Sequence, residues 1–165
     1  MTDTDQIDDL DHEARLDRIE QRLQAVEDEL AITRLVASYG PLVDAGDAEA
    51  VAALWAVDGE YDVEGWHMRS REDVRQMVLS DGHQHLIGGG CTHFLAPAYV
   101  RLHGDEATAV CESLLVRQKD GGFSVRRAGA NHFRLRRTDE GWRVVHRTTR
   151  ALDGSAEARE LLARD

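Results

Sequence analysis

An aspartate and a histidine stand out in this sequence because each interrupts an otherwise apolar segment. Asp44 lies near the end of a helical pattern that stops at Gly46, and His93 lies in the apolar run from Cys91 to Leu95. A neutral imidazole held by a carboxylate at one nitrogen is a general base at the other. If the fold brings Asp44 and His93 together, the pair could remove a proton from carbon.

Each of the two residues also has a purely structural interpretation. Asp44 could instead cap the turn at Gly46 or the helix that follows, although a carboxylate in the last turn of a helix opposes the helix dipole. A histidine on an apolar strand face is commonly a hydrogen-bonded core residue. The distance between the two side chains therefore decides between a functional pair and two structural residues.

Three residues on predicted strands are candidates for substrate binding. Asn131 shares a strand face with Phe133 and Leu135, so it is expected to point inward, whereas Arg147 shares a face with Val145 and Thr149. Both could orient a substrate or stabilise negative charge. The alternatives are a buried structural amide for Asn131 and a surface position for Arg147. Arg117 alternates with Cys111, and its role is equally open.

No pattern in the sequence predicts a metal or a cofactor. His83 and His85 could meet at a metal ion, but no third ligand has suitable spacing, and the glycines around them predict a loop. The chain has neither a Walker loop nor a dinucleotide-binding fingerprint. Ser113 lacks the glycine elbow of serine hydrolases. We therefore expect chemistry without a cofactor or a metal.

The net charge of -11 is concentrated at the N-terminus, where residues 1–29 hold 11 acidic and 3 basic residues. Such an acidic arm repels phosphate backbones, so a nucleic-acid partner is not expected. The chain contains no run of about 18 apolar residues, and its N-terminus lacks the apolar region of a signal peptide. Cys91 and Cys111 are expected to be free thiols. These features favour a cytoplasmic protein without a membrane contact.

The hydrophobic pattern predicts helices first and an antiparallel sheet afterwards, which is an α+β arrangement. We expect a disordered acidic tail over residues 1–8, an N-terminal helical extension over 9–30, the folded domain over 31–152, and a tail or short helix over 153–165. Proline lacks an amide proton, so Pro41 is expected to interrupt the long helix. Two further helices are expected over 48–55 and 71–80, and a loop over 81–90. Strands are expected over 60–64, 91–102, 106–118, 123–137 and 142–152, and Pro97 predicts a bulge or bend in the second of them.

The N-terminal extension contains a heptad pattern. Its apolar residues are spaced alternately three and four apart, which is typical of a coiled-coil seam. They are Leu16, Ile19, Leu23, Val26 and Leu30. The seam covers about two heptads, so it could pack against a partner chain or against its own domain. We expect a homo-oligomer, a dimer or a trimer, to which this helix contributes.

Four stretches carry a resemblance to a known family. They are SYGPLVDAGD at 38–47, LWAVDGEYDVEG at 54–65, THF at 92–94 and DEGWRVVHRT at 139–148. With them, roughly residues 28–152 resemble the SnoaL-like branch of the nuclear transport factor 2 superfamily. The resemblance implies a cystatin-like α+β fold, a cone-shaped barrel whose curved, mainly antiparallel sheet wraps around the N-terminal helices.

The resemblance also implies a pocket with polar groups at defined positions. Scytalone dehydratase and hexachlorocyclohexane dehydrochlorinase, two members of the superfamily, use a histidine–aspartate pair that falls on His93 and Asp44. The asparagine of the dehydratase pocket falls on Asn131, and the arginine of the dehydrochlorinase pocket falls on Arg147. The oxyanion-binding tyrosine of ketosteroid isomerase falls on Tyr39, which makes Tyr39 a candidate donor to the substrate.

Other positions depart from these relatives. The second histidine of the dehydratase falls on Arg117, the pocket lysine of the dehydrochlorinase falls on Tyr39, and the base of the isomerase falls near Val63. We therefore expect a lyase or isomerase in which the His–Asp pair abstracts a proton from a small, mainly apolar ring substrate, with the reaction itself left open. The alternative is a non-catalytic small-molecule binding protein of the same fold.

Overall fold

The computed structural model describes the backbone of residues 3–163 and the side chains of residues 12–163. The helices are α1 (Asp3–Asp44), α2 (Ala48–Ala52), α3 (Arg71–Leu79), α4 (Asp81–Gly88) and α5 (Ala156–Ala163). The strands are β1 (Trp55–Val63), β2 (Trp66–Met68), β3 (Cys91–Leu95), β4 (Tyr99–His103), β5 (Glu106–Lys119), β6 (Gly122–Thr138) and β7 (Gly141–Ala151).

The strands form one curved sheet in the order β2-β1-β7-β6-β5-β3, with β4 also paired to β5. β1 and β7 run parallel, whereas the other pairs are antiparallel. α1 packs against β3 and β4 near one edge and against β7 nearer the other, so the sheet wraps around this helix. The two edge strands, β2 and β3, do not pair with each other in the described chain, so the sheet is open. The predicted α+β class is confirmed.

The last third of α1 lies on the concave face of the sheet. A buried stripe of residues spaced three or four apart makes this contact: Ile32, Val36, Tyr39 and Val43, each at most 5% exposed. Asp28 fixes the helix at the rim of the sheet, where its Oδ1 accepts hydrogen bonds from Arg137 Nη1 at 2.7 Å and Trp142 Nε1 at 3.0 Å. The position of α1 along the sheet is thereby set at the beginning of this contact.

α1 is not interrupted at Gly40-Pro41, so that prediction was wrong. Pro41 removes only one backbone hydrogen bond, and the buried stripe on both sides of it holds the helix against the sheet. Gly40 is needed for the close approach to β3, because a Cβ there would overlap the carbonyl oxygen of His93. The helix ends at Asp44, and Gly46 follows with a φ of +71°, the expected glycine of a helix C-terminus.

The structure changes three other predicted elements. The second helix stops at Ala52, so Trp55 begins a strand instead of closing a helix. The predicted loop at 81–90 contains helix α4, because Ser80 caps it by accepting a hydrogen bond from the His83 amide at 3.3 Å. The strand predicted over 91–102, with a bulge or bend at Pro97, is divided there into two separate strands, β3 and β4.

The helices predicted near 71–80 and at the C-terminus are confirmed as α3 and α5. α1 begins at Asp3, within the segment 1–8 that was expected to be disordered, while Met1 and Thr2 lie outside the described residues. Although α1 has 42 residues, no helix in the described chain is long and apolar enough to cross a membrane.

Candidate functional site

The end of α1 and the start of β3 bring Asp44 and His93 into contact. His93 Nδ1 lies 2.6 Å from Asp44 Oδ1, and the backbone amide of His93 donates to Asp44 Oδ2 at 2.7 Å. The thiol of Cys91 also points at Oδ1, with Sγ at 3.7 Å. Asp44 therefore holds both the ring and the backbone of His93. It does not cap α2, because the side chain of Asp47 does so.

This geometry sets the tautomer of His93. A carboxylate is only an acceptor, so the proton of the neutral ring lies on Nδ1 and the lone pair lies on Nε2. Burial lowers the pKa of His93 from its usual 6.5, although the hydrogen bond and the charge of Asp44 favour the protonated form. The ring is thus neutral at pH 7, and its Nε2 has no hydrogen-bond partner among the described residues. His93 has the properties of a general base.

His93 lines a cavity of about 150 Å³ between α1, α4 and the concave face of the sheet. The walls are mostly aromatic and aliphatic. Besides the hydroxyl groups of Tyr39 and Tyr61, the polar side chains in the walls are His83, His93, Ser113, Arg127, Arg147 and Thr149. A cavity of about this volume, 150 Å³, holds one six-membered ring, so the site suits a small cyclic molecule.

Arg147 places a positive charge in the wall of this cavity. The side chain is 2% exposed, and its guanidinium carbon lies 4.2 Å from the ring centre of Tyr39, 4.5 Å from that of Tyr61 and 5.0 Å from that of Phe133. Nη2 donates to Asn131 Oδ1 at 2.8 Å, whereas Nε and Nη1 have no hydrogen-bond partner. No carboxylate in the described chain forms an ion pair with this guanidinium.

Asn131 positions Arg147 and does not itself line the cavity. It is fully buried, and its Oδ1 accepts from both Arg147 and Thr149 Oγ1, each at 2.8 Å. Its Nδ2 donates to Ser113 Oγ at 3.0 Å and to the carbonyl oxygen of Cys111 at 3.2 Å. The amide is therefore fully used within the protein, and its contribution to a ligand is indirect.

Tyr39 lies between the two polar centres. Its ring contacts the guanidinium of Arg147, and its ring centre lies 6.4 Å from that of His93. Burial and the neighbouring Tyr61 raise the pKa of Tyr39 well above the usual 10.0. The phenol therefore keeps its proton at neutral pH and can donate a hydrogen bond.

Arg117 is a predicted substrate-binding residue that the structure places away from both the cavity and the side chains behind its walls. It pairs with Cys91 at the beginning of β3, two residues before His93, and lines a separate surface groove with Arg126 and Leu152. The alternation of β5 does not show the point at which the cavity ends. The geometry gives no support to a role for Arg117 in this cavity.

His83 is a pocket residue that the sequence pattern did not place. It lies on α4, is 8% exposed, and donates from Nε2 to the carbonyl oxygen of Val43 at 3.0 Å. Its ring centre is 5.9 Å from that of His93. His85 is exposed, so the two histidines of α4 do not converge. Ser80, a good helix cap, was the available signal that this segment is helical.

One group of side chains in the described chain has a spacing that could suit a metal ion. It comprises Asp44, Cys91 and His93, whose ligand atoms lie within 4.8 Å of one another. Both oxygens of Asp44 are engaged with His93, and burial together with the charge of Asp44 raises the pKa of the Cys91 thiol to about 11. The cluster fits a hydrogen-bonded acid–base pair better than a metal site, which requires a thiolate.

Comparison with known proteins agrees with the fold. The family model of the SnoaL-like domain matches residues 24–148. A solved structure of an NTF2-like protein with a cystatin-like fold from Novosphingobium aromaticivorans is 45% identical, with a TM-score of 0.87 and coverage of 89% of this chain and 96% of that chain.

Two further solved structures from the same organism are more distant. A candidate aromatic ring hydroxylase is 25% identical, with a TM-score of 0.64 and coverage of 77% of this chain and 90% of that one. A candidate scytalone dehydratase is 19% identical, with a TM-score of 0.63 and coverage of 81% and 87%. At that identity the likeness shows the fold alone. No curated protein matches the sequence significantly.

Proposed function

Because this chain belongs to the SnoaL-like domain family, we propose that it is a lyase or isomerase in which His93 removes a proton from carbon of a small ring substrate. The observation that carries the proposal is the 2.6 Å contact between His93 Nδ1 and Asp44 Oδ1, in a cavity that His93 lines. The family includes isomerases and dehydratases, which is consistent with this chemistry.

The proton moves from a substrate carbon to Nε2 of His93. The ring becomes an imidazolium, and the carboxylate of Asp44 at Nδ1 stabilises that charge as it forms. Because Asp44 also binds the backbone amide of His93, the carboxylate and the ring are held in place before the substrate arrives. The pair thus performs the proton transfer with little rearrangement of the protein.

When the C–H bond breaks, its electron pair stays on the substrate. These electrons either form an enolate, whose oxygen carries the charge, or form a double bond while a leaving group departs with its own bonding pair. In both cases negative charge grows away from His93. Arg147, with two nitrogens lacking partners, supports either outcome, and Tyr39 can donate a further hydrogen bond.

The substrate class follows from the walls of the cavity. Aromatic and aliphatic side chains surround a volume suited to one ring, and the described walls contain arginine but no carboxylate. We therefore propose a mainly apolar ring that carries an electronegative substituent, such as a carbonyl oxygen, a hydroxyl group or a halogen, on the side of Arg147.

A turnover screen tests this proposal. Cyclic ketones and halogenated or hydroxylated rings are incubated with the protein in D2O, and NMR follows deuterium incorporation and loss of the substituent. We expect turnover by the wild type, a loss of about 10²- to 10⁴-fold in His93→Gln, and no change in His85→Gln, whose side chain is exposed on α4.

Two outcomes would contradict the proposal. The first is equal turnover by the wild type and His93→Gln, which would remove His93 from the chemistry. The second is saturable binding of these rings in the cavity of the wild type without any turnover, which would identify a non-catalytic binding protein.

A further inference from the structure

α1 carries a second apolar stripe that the domain does not cover. Residues 12–27 of the helix are all exposed, and the five heptad residues are 45–62% exposed: Leu16, Ile19, Leu23, Val26 and Leu30. A row of large apolar side chains along one side of a helix is unusual on a surface that faces only water. The row therefore indicates an interaction surface, which we call the N-terminal stripe.

The N-terminal stripe lies on the opposite side of α1 from the core stripe of Ile32, Val36, Tyr39 and Val43. At about 100° of rotation per residue, the mean directions of the two stripes differ by roughly 150°. Asp28 is the first residue of the described helix that is buried against the sheet. The N-terminal stripe therefore cannot pack on its own domain by continuing the contact that α1 already makes.

The charges beside the stripe match a second copy of the same helix. With Leu16, Leu23 and Leu30 at position a, the flanking g and e positions are Arg15, Glu20, Arg22, Glu27, Glu29 and Arg34, all exposed. In a parallel, in-register pair, each g residue faces the e residue five positions later in the partner. The pairs are then Arg15 with Glu20, Arg22 with Glu27 and Glu29 with Arg34, and every pair joins opposite charges.

The opposite orientation does not match. In an antiparallel pair over the same stripe, g positions face g positions and e positions face e positions. In the antiparallel register that sets Leu16 opposite Val26 and Ile19 opposite Leu23, Arg22 faces Arg22 of the other helix and Glu20 faces Glu20, and only Arg15 with Glu29 joins opposite charges. Like charges at these positions destabilise a coiled coil and help to decide its orientation.

We propose that copies of this chain associate through a parallel, in-register coiled coil over residues 15–34, with the N-terminal stripe as its seam. The a positions hold leucine and the d positions hold Ile19 and Val26, a pattern that favours three or four strands over two. The assembly is independent of the cavity chemistry, because the stripe and the cavity share no residue.

Mass in solution tests the role of the stripe. Light scattering of the full chain is expected to give three or four times the 18.4 kDa of one chain. Leu23→Glu should reduce that mass toward a single chain, because it puts like charges into the seam. Ala25→Glu adds the same charge outside the seam and should leave the mass unchanged. Circular dichroism confirms that both variants fold, since both positions are exposed in one chain.

Orientation and register are tested by two further sets of variants. Under oxidation, Ile19→Cys should cross-link chains, because equal d positions meet only in a parallel, in-register pair, whereas Ala25→Cys should not. Arg22→Glu should weaken the assembly, and adding Glu27→Arg should restore it. A wild type of single-chain mass overturns the proposal. So does the lack of a cross-link through residue 19, or the lack of rescue by the double reversal.

Discussion

Two polar clusters at the same cavity differ in whether their charged group has a partner within the protein. In the dyad cluster, formed by Asp44, His93 and Cys91, a carboxylate accepts every donor around it and holds a neutral imidazole. In the arginine cluster, formed by Arg147 and its neighbours Asn131 and Thr149, a guanidinium is buried without a carboxylate. The first cluster is complete within the protein, whereas the second lacks a counter-charge.

The difference indicates what each cluster is for. A buried charge without a partner costs several kcal/mol unless hydrogen bonds or aromatic faces compensate it. Aromatic rings and one amide do so only in part around Arg147, because two of its nitrogens remain unpaired. The missing negative charge is what a ligand would supply under the proposed function. In that proposal the dyad cluster transfers the proton and the arginine cluster stabilises the charge.

The largest effect is expected from Asp44→Asn, which breaks the dyad cluster. Asp44 accepts from both the backbone N–H and the ring N–H of His93, but an asparagine has only one accepting oxygen. Its NH2 group would face one of these two donors, so the ring would lose its fixed tautomer. We expect kcat/KM to fall by about 10³- to 10⁴-fold, together with a lower melting temperature. Asp47→Asn is the matched control, because asparagine also caps a helix. Equal losses in both variants would contradict the role of Asp44.

Arg147→Met separates activity from stability in the arginine cluster. Removing one group that stabilises developing charge should lower kcat/KM by about 10²- to 10³-fold. The free energy of unfolding should stay the same or rise, because an unpaired buried charge disappears and Thr149 still donates to Asn131. Denaturant unfolding measures the second quantity.

Arg136→Met provides the comparison for Arg147, since Arg136 forms an exposed ion pair with Asp58. It should change neither activity nor stability by more than about 0.5 kcal/mol. If Arg147→Met unfolds the protein while Arg136→Met does not, the guanidinium is a structural group and the comparison between the clusters fails.

Gly40→Ala tests the contact that joins α1 to the dyad cluster. The new methyl group would overlap the carbonyl oxygen of His93, so β3 must move. We expect a destabilisation of about 1–3 kcal/mol and weaker activity. Gly82→Ala on α4 has open space around it and should leave both quantities nearly unchanged. Unaltered activity in Gly40→Ala would show that the dyad does not depend on this close approach.

The smallest effect is the dependence on pH. Burial holds the pKa of His93 below 6.5, so the neutral base should persist at pH 7 and kcat/KM should decline only as the pH falls below 6.5. The stability contributed by neutral His93 is likewise complete above the unfolded pKa and is lost as the pH falls through the folded pKa. The measurement is the pH profile of kcat/KM. A decline toward acid whose midpoint lies above pH 6.5 would contradict this environment for His93.

The dyad was predictable from sequence because its two residues break local rules. A carboxylate in the last turn of a helix and a histidine in an apolar strand have no local explanation, and the family resemblance joined them. The α+β class followed from helices that precede a run of alternating strands. These predictions depended on local features of each segment and not on contacts between distant segments.

The arginine cluster and α4 depend on contacts between distant segments. Alternation left Arg147 either inward or on the surface, because it could not show the register shift of β7 between Val144 and His146. It also gave no indication that rings from α1, β1 and β6 surround Arg147 without a carboxylate. The glycines of residues 81–90 predicted a loop instead of the helix that places His83 in the cavity. The role of Arg117 stayed open because a strand pattern does not show where a cavity ends. Tertiary packing also keeps α1 helical across Pro41, although proline disfavours the interior of a helix.

The most direct test of the account is the protonation of the His93 ring, observed by ¹⁵N NMR in the wild type at pH 7. We predict a neutral ring with the proton on Nδ1 and a free lone pair on Nε2, and a loss of this fixed tautomer in Asp44→Asn. A proton on Nε2, or a charged ring at pH 7, would contradict the assignment of His93 as the base.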